Sequence, residues 1–241
     1  KWVKPLYDRC YDPLWQVLQD LEVPINIHSG SGNPDYGPYP VSMLLYINEV
    51  PFYTERPLVQ LILSGVFERF PRLKVVLTEA GCAWVPPLLE RLDTNIRSIR
   101  DTGATGEIRY GADHILPKDA TEYFHQNVWM GVSQPRQADA DARHIIGLDK
   151  FMWGSDYPHD EGTYPYTREN LRARFSAAPE AEMRKILAGN AAEMYGFDLD
   201  ALAPLAARIG PTVEEVARPI ADLPDKSLER ISGDMDASAI K

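Results

Sequence analysis

Basic residues are in deficit: Lys and Arg together number 25 against 35 Asp and Glu, a formal net charge of -10 over 241 residues. That balance repels phosphate backbones and anionic headgroups at long range, so neither nucleic acid nor membrane is an expected partner. Cysteine is scarce. Cys10 and Cys82 offer no disulfide framework and no CxxC or Cys/His spacing for a structural zinc site, and a reducing compartment suits them best. No apolar run approaches the ~20 residues that cross a bilayer, and the opening "KWVKPLYDRCYDPLW" lacks the apolar core of a secretory signal. The cytoplasm is the expected location. Internal repeats and low-complexity tracts are missing too. Residue 1 is not Met and the chain opens almost at once on a helix, so further sequence is expected upstream.

What is present is a chain that is 44% hydrophobic, long enough for one large domain or two small ones with a sizeable core. Asp12 and Pro13 read as the N-cap and first position of a helix running to Leu21. "INIH" is a short β-prone run ending at His28, followed by a Ser/Gly loop. Residues 33–51, rich in Pro, Gly and Tyr, read as irregular, and "RPLVQLILSGVFERFP" resumes a helical pattern with Gly65 joining two short helices. "LKVVLTEAG" is a strand apolar on both faces that ends at Thr78 and Glu79, and "WVPPLLERLDTNIRSIR" is a helix. "NVWMGVS" and "KFMWGS" are two more strands, ended by Ser133 and Asp156, with the helical "ADADARHIIGL" between them. Helices "TRENLRARFS", "EAEMRKILAGNAAEMYG", "DALAPLAARIG" and "TVEEVAR" follow, with Asn190 expected to cap a join within the second. The expected boundaries are a barrel-type domain over 1–218 and a mobile polar, acidic tail over 219–241.

Apolar strands alternating with helices belong to a parallel sheet covered on both faces, which makes the class α/β. A (β/α)8 barrel needs eight strands where four are legible, so the expectation is about four βα units, the second half of a TIM-type barrel, plus a helical tail.

In a parallel sheet all carboxyl ends lie on one face, where ligands and catalytic groups of such folds gather. His28, Glu79 and Asp156 each end a strand. Each also has a bland reading: His28 as a loop hydrogen-bonder, Glu79 as a first-turn acid for the next helix, Asp156 as a cap for the turn before Pro158, and His159, Asp160 and Glu161 as a solvated loop. His114, His125 and His144 have no partner at ligand spacing and are expected on the surface. Imidazole and carboxylate at strand tips suit a borderline divalent cation such as zinc, which lowers the pKa of a bound water toward ~7 or polarises a substrate oxygen. A neighbouring carboxylate can then take the proton. About three protein ligands are usual, and His28 and Asp156 supply two.

"PINIHSG", "KVVLTEAGCAWVPPLLERLD", "FMWGSDYPHDEG" and "ILAGNAAEMYG", in this order, resemble the carboxyl-terminal half of the amidohydrolase-related family, from about Tyr11 to Gly196. These are metal-dependent TIM-barrel hydrolases and decarboxylases of the aminocarboxymuconate-semialdehyde decarboxylase type. The resemblance implies that His28 and Asp156 bind the metal and that Asp156 also accepts a proton. Two departures stand out. The family's HxH ligand pair has no counterpart in this sequence, and "EAG" at Glu79 to Gly81 stands where the decarboxylases usually carry HGG. An ordinary carboxylate near ~4.3 is a poor proton donor unless burial raises it. Glu79 is therefore expected as a base or substrate orienter, and the reading leans to hydrolysis of an amide, ester, lactone or activated C-C bond. Decarboxylation of an aromatic or unsaturated carboxylic acid is the alternative, and a non-catalytic fragment without a complete metal site is the third reading. Trp84 and His159 are the candidate substrate contacts for a small-molecule partner. The tyrosine- and proline-rich stretch from Pro34 to Tyr53 walls an apolar pocket, packs the rim, or meets a subunit partner in a homo-oligomer.

Overall fold

The computed structural model describes residues 3–30 and 32–220. After a 3-10 turn, α1 (Asp12–Asp20) starts one residue earlier than expected. Asp12 is inside the helix rather than its cap, and its carboxylate accepts from Arg9 Nη1 at 2.9 Å and Arg69 Nη2 at 3.0 Å. Then come β1 (Ile25–His28), α2 (Ser42–Leu63) and α3 (Val66–Arg69), with Gly65 at the join as expected. The irregular stretch is in part a correction: from Ser42 it is helical, and α2 runs 22 residues straight through Pro51 and Pro57. Each proline forfeits one backbone hydrogen bond, but the apolar half from Thr54 to Ile62 is packed into the core and holds the helix together.

Next are β2 (Val75–Thr78) and α4 (Val85–Thr102), whose prolines sit in the first turn where a missing N–H costs little. The chain then forms an antiparallel pair, β3 (Ala104–Thr105) with β4 (Ile108–Arg109), and α5 (Ala120–Asn127), elements too short or too polar to be read from hydrophobic spacing. After β5 (Val128–Ser133), α6 (Gln137–Ile146) and β6 (Phe151–Gly154), the chain is helical: α7 (Thr167–Phe175), α8 (Glu180–Arg184), α9 (Asn190–Tyr195), α10 (Leu199–Ile209) and α11 (Val213–Val216). A π turn, Lys185–Gly189, links α8 to α9 without a break, so Asn190 does not cap a join. The acidic tail expected from 219 lies, from residue 221, outside the described residues.

Among the described residues four strands form one parallel sheet in the order β1-β2-β5-β6, which is the α/β architecture expected. Alternation of side chains then gives the sheet two unlike faces. Val75, Leu77, Val128, Met130, Val132 and Phe151 face the main core, packed with Leu58, Phe67, Leu88 and Phe124 from the covering helices. On the other face Val76 and Met152 form a smaller cluster with Met194 of α9, beside Trp129. β1 departs from the expectation of cover on both faces, because Asn26 and His28 are exposed at the sheet edge.

The amino-terminal end of the sheet is tied by two buried asparagines. Asn127 Nδ2 donates to Leu73 O at 2.7 Å and to Phe70 O and Pro71 O at 3.3 Å. Asn190 Nδ2 donates to Leu148 O at 2.6 Å and Phe151 O at 2.7 Å. Among the described residues no helix is long and apolar enough to cross a membrane.

Candidate active site

At the carboxyl-terminal end of the sheet three residues just past strand ends adopt the left-handed backbone conformation: Glu79 after β2 (φ 63°), Gln134 after β5 (φ 48°) and Asp156 after β6 (φ 61°). None is glycine, so each carries a cost of about 1–2 kcal/mol that the surrounding contacts must offset. The shared twist turns three polar side chains onto one rim. One ligand atom each from Glu79, Asp156, His159 and Glu161 lies within 4.8 Å of the others.

Asp156 is the most enclosed of these, its side chain keeping 10% of its exposure. Both of its oxygens are engaged: Oδ2 accepts from Gln134 Nε2 at 2.9 Å, and Oδ1 lies 3.0 Å from His159 Nδ1. The hydrogen bond to Asp156, and then its charge, raise the His159 pKa. Glu79 is half-buried, and its carboxyl is held above the ordinary range, first by burial and next by the charge of Asp156. His28 Nε2 lies 2.5 Å from Glu79 Oε2 and pulls the other way without cancelling those two effects. The sequence-based objection to Glu79 as a proton carrier therefore weakens: this carboxyl is partly desolvated beside another.

Two loops hold the rim. The segment from Ser155 to Thr163 is a tight turn in which His159 N donates to Asp156 O at 2.9 Å and Thr163 N to Ser155 O at 2.8 Å. A Cβ on Gly162 would sit 2.8 Å from Asp156 O and 2.9 Å from both Ser155 O and His159 O, so only glycine fits there. The loop after Glu79 is fastened by buried Asp139 of α6, whose Oδ1 accepts from Cys82 N at 2.7 Å and Ala83 N at 2.9 Å. Gly81 (φ +60°) permits that approach, since a Cβ would meet Asp139 Oδ1 at 2.9 Å.

Of the residues singled out from sequence, Glu79, Asp156 and His159 come together, and His28 joins through Glu79 from an exposed position, its side chain 58% accessible. Trp84 is partly buried against the core and donates its indole N–H to Ala80 O at 2.9 Å, beside the Glu79 loop. His114, His125 and His144 are exposed, as expected. Sequence reasoning passed over Gln134, Asp139 and Gly162 and left Glu161 to the solvent. Gln134 had a usable signal, for it follows a strand end as Glu79 does.

The donor set suits a divalent cation. Carboxylate and imidazole atoms separated by less than 5 Å can share one ion at ordinary bond lengths of about 2.0–2.6 Å, and a cation would relieve the repulsion between Glu79 and Asp156.

The chain spans about half the length of the curated relatives it matches. One is a γ-resorcylate decarboxylase from Polaromonas sp., 27% identical over 196 residues, covering 78% of this chain and 56% of that protein. Among solved structures, an amidohydrolase from Mycobacterium avium subsp. paratuberculosis is 26% identical with a TM-score of 0.59, over 79% of this chain and 47% of the other. A dihydroxybenzoic acid decarboxylase from Polaromonas sp., solved with bound manganese and the inhibitor 2-nitroresorcinol, has the same fold at 23% identity and a TM-score of 0.56, over 79% and 55% of the two chains. The family model described as amidohydrolase matches residues 1–197, and with the parallel sheet and its polar rim in place the chain belongs to that family.

Proposed function

We propose that this protein works as a metal-dependent carboxy-lyase that removes carbon dioxide from an aromatic carboxylic acid. The observation that carries the reading is the convergence of Glu79, Asp156, His159 and Glu161 within 4.8 Å at the carboxyl end of the sheet. The decarboxylase named among the relatives favours this reaction over the hydrolysis toward which the sequence leaned. The four strands are proposed to correspond to the second half of an eight-stranded barrel.

His28 and Asp156 are the proposed metal ligands; Glu79, His159 and Glu161 lie within ligand reach of Asp156, and His28 adjoins them through Glu79. Manganese is preferred to the zinc expected from sequence, because the surrounding donors are mostly carboxylate oxygens. When bound, such a cation draws electrons from the substrate's oxygens and fixes its carboxylate. Gln134 and His159 hold the two oxygens of Asp156 in one orientation. Glu79, its carboxyl held above the ordinary range by burial and by the charge of Asp156, is proposed to deliver a proton to the ring carbon bearing the carboxylate. The bond from that carbon to the carboxylate then breaks, carbon dioxide leaves, and the electron pair stays to restore the ring. His159 and Trp84 remain the proposed substrate contacts.

The test is direct. The protein loaded with manganese and given 2,6-dihydroxybenzoate should release carbon dioxide and resorcinol, and His28→Ala and Asp156→Asn should lose both metal and turnover. Acid release from a panel of esters and lactones with no carbon dioxide would replace this reading with the hydrolase. Failure to bind any divalent metal would leave a non-catalytic chain.

A further inference from the structure

The face of the sheet that carries His28 has a gap below the rim. His28, Thr78, Gly131 and Met152 are in register on four neighbouring strands, so in a parallel sheet their side chains share one face. Met152 packs into a small buried cluster with Val76 and Met194, which closes the bottom of that face, while Thr78 and Gly131 are only half-buried. Gly131 has no side chain to fill the space. A Cβ there would sit 3.2 Å from Thr78 Oγ1 and 3.6 Å from Leu77 O. The gap borders the proposed proton donor: Glu79 N donates to Gly131 O at 2.9 Å, and Thr78 directly precedes Glu79. Among the described residues the Thr78 hydroxyl has no hydrogen-bond partner, yet it is not sealed from solvent.

We infer that Thr78 and Gly131 select the ring substituent of the substrate, accepting a hydroxyl and refusing a methyl group of nearly the same size. This selection rests on the carboxy-lyase reading above, because it concerns the acid which that site decarboxylates. Gly131 supplies the room and Thr78 the discrimination. A ring hydroxyl lodged over Gly131 can donate to Thr78 Oγ1 or accept from it, so the hydrogen bonds that both groups give up with water are replaced. A methyl group there would strip water from the Thr78 hydroxyl and return nothing, which is how a site built to bond a hydroxyl rejects the analogue without one. A second carboxylate in that place would add a further negative charge beside Glu79 and Asp156 with only a neutral hydroxyl to meet it.

Packing alone does not ask for this pair. Valine has nearly the outline of threonine, and at the end of the run Val75, Val76, Leu77 it would fill the same space with no polar group left over. A hydroxyl at the position of β2 nearest the rim, beside a residue reduced to backbone on β5, is a feature that a ligand uses and the core does not.

Two acids that differ in one group supply the test, with carbon dioxide release by the manganese-loaded 241-residue chain as the readout. Thr78→Val should raise KM for 2,6-dihydroxybenzoate about tenfold, because either ring hydroxyl then meets a methyl. The same variant should leave KM for 2-hydroxy-6-methylbenzoate within about twofold, because that ring can turn its own methyl toward the new one. Thr78→Ser should restore the wild-type KM for the dihydroxy acid, and Gly131→Ala should raise KM for both acids. Calorimetric titration with manganese should give Thr78→Val the wild-type affinity, which separates lost selection from a lost metal site or a fold defect. Equal effects of Thr78→Val on the two acids, no effect on either, or loss of manganese binding would each overturn the proposal. If neither acid loses carbon dioxide, the carboxy-lyase reading falls on its own and equilibrium binding of resorcinol and 3-methylphenol decides the selection. Resorcinol weakened about tenfold by Thr78→Val with 3-methylphenol unmoved upholds it, and equal weakening or no binding of resorcinol overturns it.

Discussion

The two ends of the sheet are built on opposite principles. At the amino-terminal end Asn127 and Asn190 are buried and neutral, and their amide nitrogens donate to backbone carbonyls from residues that do not themselves hold a left-handed backbone. At the carboxyl-terminal end Glu79, Gln134 and Asp156 hold left-handed backbone and crowd carboxylates together. One end invests its polar groups in stability, while the other tolerates strain and repulsion to leave charged atoms free for a ligand. This is the division expected of barrel-type α/β folds, in which the two faces carry stability and chemistry separately.

Substitutions at the two ends should therefore separate binding from stability. The largest effect is expected for Asp156→Asn. Manganese affinity by calorimetric titration should fall more than a hundredfold, beyond the ~10–100-fold typical of outer partners, while the unfolding midpoint barely moves. A parallel fall in stability would mean that this aspartate belongs to the structural end after all.

Asn127→Ala is the converse. It leaves the buried carbonyl of Leu73 without this donor, while Phe70 O keeps Leu73 N and Pro71 O keeps Gln126 Nε2, and at ~1–3 kcal/mol for a buried unpaired group the expected loss is about 2 kcal/mol in urea unfolding. Metal affinity of the folded protein should stay within twofold. Gly162→Ala comes next: its Cβ meets three backbone oxygens, and displacement of the turn bearing Asp156 and His159 should weaken metal binding roughly thirtyfold, within the range for outer partners.

Gln134→Leu removes one of the two bonds on Asp156, and a loss of about tenfold in metal affinity is expected. Gln134→Glu should be worse than Leu, because it sets a third carboxylate against the pair. The smallest effect sits at the amino-terminal end, where Lys150 Nζ lies 3.5 Å over the Trp129 ring and burial lowers its pKa to about 8. The folded state disfavours the charged amine, so the unfolded chain binds more protons between that value and the ordinary 10.5. Stability should rise with pH across that window and carry the full penalty below it. Lys150→Met should flatten the rise, as followed by urea midpoints at several pH values.

Much of this contrast was legible in the chain. The four strands and the residues that end them could be read because burial imposes a local pattern: apolar runs such as "VVL" and "FMW" stop where the backbone leaves the sheet. The metal-type chemistry of His28 and Asp156 could be proposed because parallel topology sends every strand tip to one side. The partners of those tips were another matter. Gln134 meets Asp156 across 22 positions, and Asp139 fastens the amides of Cys82 and Ala83 across 57 and 56. No periodicity links such pairs.

By itself, then, the amino-acid order determined the class of fold, the strand ends and the candidate ligands, since these follow from side-chain hydrophobicity along contiguous segments. Tertiary structure alone decided that α2 runs through two prolines, that Asn190 ties a loop instead of capping a helix, and that Glu79 lies between His28 and Asp156 with a raised pKa. Each of those depends on strand order, crossover packing and backbone twist, which set the distances between residues far apart in the chain, and on the burial that only a closed core provides.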